Sequence, residues 1–160
     1  MTIASNLYIA CVSGYYSKVD WQEWADRQIL KKDIVEDWIY EVSLAKDLNE
    51  LSLAVGAKML DESYYEKNRF SKSDVIVGYY YLQFLENKIT LRDLISKLSD
   101  EDDPSNSSSI NEFLNFYAIM GEINLNNSIL KEPLFDQKLA IVFDPYKQIA
   151  ESQKEQLESY

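Results

Sequence analysis

Apolar residues recur along most of this chain at intervals of three and four, the spacing that lines one face of an α-helix. Trp21, Trp24 and Ala25 share a face behind Asp20 and Glu23, a pair with the spacing of a capping box. Asp33 and Glu36 repeat that spacing ahead of Ile34, Val35, Trp38, Ile39 and Val42. Leu48, Leu51, Val55 and Met59 form a further stripe, with Asn49 as its candidate N-cap. Ser71 and Asp74 precede Val75, Gly78, Tyr79, Leu82 and Leu85. Ile76, Tyr80, Tyr81 and Phe84 make the same segment apolar nearly all round, which predicts a central buried helix. Gly78 stands alone in that pattern and is expected to permit close helix packing.

Farther along, Thr90 caps an amphipathic segment with Leu91, Leu94, Ile95 and Leu98 inward. Ser109 and Glu112 form another capping-box pair, with Ile110, Phe113, Leu114 and Tyr117 on one side and Gly121 as a C-terminal stop. Between these two segments, residues 99–109 contain no apolar side chain, and Pro104 forbids a continuous helix, so an exposed, acidic, serine-rich loop is expected. Leu139–Phe143 is a short apolar run compatible with a buried helix segment or a short strand. Asp144-Pro145 reads as an N-cap followed by proline in the first helical turn, and the tail to Tyr160 is polar and helix-prone. No linker or internal repeat divides residues 1–160. The expectation is an all-α, single-domain bundle of about six to eight helices.

Composition supports that reading. The chain has 160 residues, 46% of them hydrophobic, enough for a core without metal or disulfides. Four Gly and three Pro are few for an all-β or nucleotide-binding α/β fold. There is no histidine, which removes Ser-His and Cys-His nucleophile pairs, imidazole proton shuttles and nearly every zinc site. No glycine-rich phosphate cradle is present. The single cysteine, Cys11, lies in the apolar stretch Leu7–Val12 and reads as a buried, unreactive thiol. That stretch is too short for a secretory core or a membrane span, so a cytoplasmic protein is expected. Asp100, Glu101, Asp102 and Asp103 are adjacent but lack the alternating spacing and turn glycine of a calcium loop. Neither a metal, a cofactor nor enzymatic activity is expected.

The formal net charge of −11 argues against nucleic acid and anionic membrane as partners and favours a cationic protein. Such a charge would also serve solubility alone. It is unevenly placed: within 100–136 there are eight acids, Asp100, Glu101, Asp102, Asp103, Glu112, Glu122, Glu132 and Asp136, against the single base Lys131. Twelve tyrosines add interface-forming surface. Tyr64 and Tyr65, beside Asp61 and Glu62, are the candidates for contact. Tyr79–Tyr81 and the three tryptophans, at helical spacing, are core candidates. The candidate partner-binding residues are therefore Asp61, Glu62, Tyr64, Tyr65, Asp100, Glu101, Asp102, Asp103, Glu112 and Glu122.

An acidic, histidine-free helical chain of this size resembles in type the bacterial immunity proteins that neutralise toxins of polymorphic and contact-dependent systems. More locally, the segment Asp74-Val-Ile-Val-Gly-Tyr-Tyr-Tyr-Leu-Gln-Phe-Leu-Glu-Asn, then Thr90-Leu-Arg-Asp-Leu-Ile, then the Asp-rich loop, is similar to an uncharacterised bacterial family of small helical proteins. The first resemblance implies stoichiometric inhibition of a cationic toxin domain, such as a nuclease, with acids and tyrosines covering the basic surface. A regulatory or scaffolding helical domain that binds through an apolar groove is the alternative expectation. Neither resemblance carries a functional residue over to this chain.

Overall fold

The computed structural model describes residues 2–63 and 70–160. Among them the chain is all-helical, with eight α-helices, two 3-10 turns and no strand. It divides into two compact units, Met1–Arg69 with Gln153–Tyr160, and Phe70–Ser152.

The first unit contains α1 (Ile3–Val12), α2 (Lys18–Lys31), α3 (Asp37–Leu44) and α4 (Leu48–Ser63). In α1, Ala4, Leu7, Ala10 and Cys11 are buried, and the helix packs on α4, where Leu51 and Val55 are equally closed to solvent. Burial pushes the Cys11 thiol far above its ordinary range, and the charge of Asp20 adds to the effect. Helix α2 opens one turn earlier than the Asp20–Glu23 spacing predicts. The Asp20 carboxylate accepts from the Ser17 N–H at 2.7 Å and from its hydroxyl at 2.6 Å, so Ser17 is the cap. Similarly, Asp47 rather than Asn49 caps α4, accepting from the Asn49 and Glu50 N–H groups at 2.9 Å each.

The Asp33–Glu36 pair starts no helix. The chain stays non-helical until Asp37, and Ile34 is 89% exposed instead of joining the stripe of Trp38, Ile39 and Val42. Trp24, fully buried, anchors this unit. Its ring lies 5.9 Å from Trp38 and 6.0 Å from Tyr160, and its Nε1–H donates to the Leu157 carbonyl at 2.9 Å. The Lys32 ammonium lies over the Tyr160 ring, 3.1 Å from its centre.

The second unit is built on α5 (Lys72–Leu85), whose residues from Val75 through Gln83 are all buried, as the nearly uniform apolar pattern predicts. Ser71 caps it, its hydroxyl accepting from the Asp74 N–H. Helix α6 (Leu91–Leu98) starts with a reciprocal Thr90–Asp93 box and buries Leu94, Ile95 and Leu98. The predicted helix from Ser109 is interrupted. Ser109–Glu112 is a 3-10 turn capped by Ser108, and α7 (Phe116–Leu125) begins afresh with Asn115 accepting from the Ala118 N–H at 3.0 Å. Gly121 lies inside α7 and does not end it. A second 3-10 turn, Asn127–Lys131, leads to α8 (Pro133–Ser159).

Residues 139–143 are therefore helix, and strand is excluded there; Leu139 and Phe143 are buried one turn apart. Nor does a helix begin at Asp144: α8 runs through Pro145. A proline in a helix interior costs about 3 kcal/mol in lost hydrogen bonding and steric conflict. The packing on either side offsets this. Phe143 stacks on Tyr81 at 4.6 Å and meets Phe116 edge-on at 6.1 Å. Tyr146 and Ala150 close on Gly78, where a Cβ would lie 2.1 Å from the Tyr146 carbonyl oxygen. Gly78 permits that approach, as its isolation in the pattern suggested.

Candidate partner-binding face

The acidic residues singled out in the sequence divide between the two units. Asp61 and Glu62 lie near the end of α4 in the first, Asp61 exposed and Glu62 half-buried. Tyr64 and Tyr65 lie outside the described residues. Asp100, Glu101, Asp102, Asp103, Glu112 and Glu122 all belong to the second unit.

Within the loop after α6, two serines turn inward and most of the acids turn outward. Ser105 and Ser108 are buried. Ser73 on α5 donates to the Pro104 carbonyl at 2.9 Å and meets the Ser107 hydroxyl at 2.6 Å. Asp103 faces inward too: it accepts from the Tyr80 hydroxyl at 3.0 and 3.1 Å and from the Ser105 N–H and hydroxyl at 2.8 and 2.6 Å. Burial, followed by the Asp103 charge and this hydrogen bond, holds the Tyr80 phenol well above its ordinary pKa. Asp103 is thus an anchor of the loop and faces the protein interior. Asp100, Glu101 and Asp102 stay exposed, as do Glu112 on the 3-10 turn and Glu122 on α7.

Among the described residues no lysine or arginine forms an ion pair with any of these five carboxylates; ion pairs do form at Lys58–Glu36, Lys88–Glu86 and Lys147–Glu151. Two cations of helix α6 are engaged elsewhere. The Arg92 guanidinium donates to Asn127 at 2.9 Å and Asn124 at 2.7 Å, and Lys97 sits 4.7 Å from the Tyr80 ring centre. Glu101 shares a shallow hollow of about 230 Å³ with Asn106, Asn111, Asn115 and Tyr117. Tyr117 is 77% exposed, although helical spacing had placed it inward. The face is acidic, rich in amides and carries an aromatic ring, a composition suited to a cationic protein surface. Among the described residues no three Asp, Glu or Cys side chains converge as a metal site. Nor is any of their helices long and apolar enough to cross a membrane.

The same unit holds a second feature that periodicity did not reveal. Phe70, Phe113, Ile141, Val142, Pro145 and Ile149 wall a groove of about 470 Å³. Phe113 and Ile141 stand 64% and 75% exposed on its rim. Its polar groups are Asp74, Ser109 and Tyr146. One Asp74 oxygen accepts from the Ser108 hydroxyl at 2.7 Å and from the Ser109 N–H and hydroxyl at 2.9 and 3.0 Å, while Ser109 also meets the Tyr146 hydroxyl at 2.8 Å. Desolvation would raise the Asp74 pKa, but the hydrogen bonds from Ser108, Ser109 and Ser71 together outweigh it and hold the carboxyl below its ordinary value. The groove thus carries an ionised carboxylate in largely apolar surroundings. Its signal in the sequence was the adjacency of Phe113 and Leu114, two large apolar residues that a helix restarting at Phe116 cannot both bury.

Compared with protein families, with curated proteins and with solved structures, the chain finds no match in any of the three.

Proposed function

We propose that this chain is an immunity-type inhibitor, a cytoplasmic protein that binds and neutralises a cationic toxin domain, a nuclease for example, by stoichiometric contact and without catalysis. The observation that carries the reading is the set of five exposed carboxylates, Asp100, Glu101, Asp102, Glu112 and Glu122, without an ion-pair partner among the described residues and grouped in one unit with the exposed Tyr117. Unpaired surface charge of one sign speeds encounter with an oppositely charged partner and loses that effect as salt screens it. Mutual pairing across an interface then adds to affinity. The resemblance in type to immunity proteins supplies the biological setting, and nothing else in the chain does.

The test uses a cationic toxin domain as the partner, sought among the genes beside this one. Its association rate should fall steeply between about 50 mM and 500 mM salt. The triple variant E101K/D102K/E112K should associate at least about tenfold more slowly at low salt and protect cells less well. An unchanged rate and full protection in that variant, at every salt concentration, refutes the acidic face. A second reading, a regulatory or scaffolding helical domain, is favoured by the apolar groove at Phe113 and Ile141. Binding insensitive to salt and lost on truncating those two residues would select it.

A further inference from the structure

From the groove beside Asp74 we infer a docking site for a cationic amphipathic helix of the partner, an apolar side chain seated among Phe113, Ile141 and Ile149 with a lysine or arginine on the Asp74 carboxylate. The inference rests on the cationic-partner reading above and adds where the partner's apolar anchor goes.

Three observations select this occupant. First, exposed apolar residues collect here: Phe70, Phe113 and Ile141 are all exposed and all line the one groove. Large apolar side chains gathered around a concavity mark a binding site more strongly than the same residues scattered singly. Second, the groove is charged for a cation. Asp74 is its only ionisable acid, and no basic side chain lines it or forms an ion pair with Asp74 among the described residues. The unit around it has thirteen acidic and seven basic residues, a net of −6. Third, the walls come from α5, the 3-10 turn and α8, and no strand edge exists among the described residues. Strand addition is thus not offered, and helix-in-groove recognition is the mode these surfaces fit. Glu112 of the acidic set directly precedes Phe113 of the groove on the chain, and Ser109 of the groove opens the same 3-10 turn as Glu112.

A helical peptide of leucine and lysine, about 14 residues long, is the probe, with its leucine–glutamate counterpart as the control. Methyl resonances of Ile141 and Ile149 in the intact chain report occupancy, and calorimetry gives the dissociation constant. The lysine peptide should shift both methyls and the glutamate peptide neither. Ile141→Lys, at an exposed position that does not burden the fold, should weaken binding at least about tenfold, and Asp74→Asn should do likewise. Because Asp74 also ties α5 to Ser108 and Ser109, the Ile141 variant decides if the Asp74 variant is poorly folded. No binding of the lysine peptide, methyl shifts absent from Ile141 and Ile149, or equal binding of the glutamate peptide overturns the inference. If E101K/D102K/E112K abolishes peptide binding while Ile141→Lys leaves it intact, the groove is not the site and the acidic-face reading stands. Fast, salt-dependent association of the toxin domain, slowed in E101K/D102K/E112K, tests that reading separately.

Discussion

Alanine at position 78 would put a methyl group where the backbone of α8 already lies. An ideal Cβ on Gly78 sits 2.1 Å from the Tyr146 carbonyl oxygen, 2.8 Å from its carbonyl carbon and 2.9 Å from the Ala150 Cβ. Ordinary contact begins near 3.4 Å, so α5 and α8 would have to part by roughly an ångström at this crossing. The obstacle is main chain, which cannot rotate aside as a flexible side-chain end could. Moving it also disturbs the Tyr81–Phe143 stack at 4.6 Å, one helical turn from the contact. Overpacking of this kind costs about 3 kcal/mol, at the upper end of the usual range. Replacing a helical glycine with alanine returns about 1 kcal/mol of helix propensity. The net loss is about 2 kcal/mol, which lowers the melting temperature of a chain this size by roughly 4–8 °C. Gly56→Ala and Gly121→Ala provide the sign control: both positions are helical and meet nothing within 4 Å, so each should gain stability by about 0.5–1 kcal/mol. Urea denaturation of the three variants measures the difference. Should Gly78→Ala prove as stable as Gly121→Ala, the close crossing of α5 and α8 is wrong.

Tyr80→Phe removes the hydroxyl that holds Asp103 and should cost about 1–2 kcal/mol by urea unfolding, while leaving the association rate with a cationic partner unchanged, because Asp103 faces inward. Trp24→Phe deletes the donor to the buried Leu157 carbonyl along with part of the Trp38 and Tyr160 contacts; a loss of about 2 kcal/mol is expected in the same assay. Asp74 and Asp93 both have carboxyls held below their unfolded value of about 3.9, so their stabilising contribution is complete above roughly pH 5. It is lost as pH falls through the folded values, and urea midpoints measured from pH 2 to 7 should show a shallower acid limb in Asp74→Asn. Cys11, buried and with its thiol pKa pushed up, should resist a thiol-specific disulfide reagent in the native state and react at once in denaturant.

How far the sequence could be read depended on the range of the interactions involved. Segments whose fate is set by neighbours three or four residues away were legible: α5 by its unbroken apolar run, α6 by Thr90 and its stripe, the core tryptophans by their spacing. Caps lie two or three residues before the expected ones where two acceptors compete. Ser17 displaced the expected Asp20 because both contribute to the same box in different roles, and Asp47 displaced Asn49. Asp144-Pro145 has the pattern of a common helix start, whereas here the aromatic packing of Phe143 and the Gly78 contact of Tyr146 carry the helix through it. The candidate site follows the same rule at longer range. That acids concentrate after residue 99 is a property of the chain. Which of them are free depends on partners far along it: Asp103 is held by Tyr80, 23 residues earlier, and Asp74 receives Ser108, 34 residues later. The charge that can reach a partner is therefore smaller than the charge written in the loop, and one acid the sequence assigned only to a helix start becomes the polar centre of the groove. Charge reversal at Glu101 and Asp102 should then act on association, and at Asp103 on folding; a variant set that merges the three would confuse the two effects.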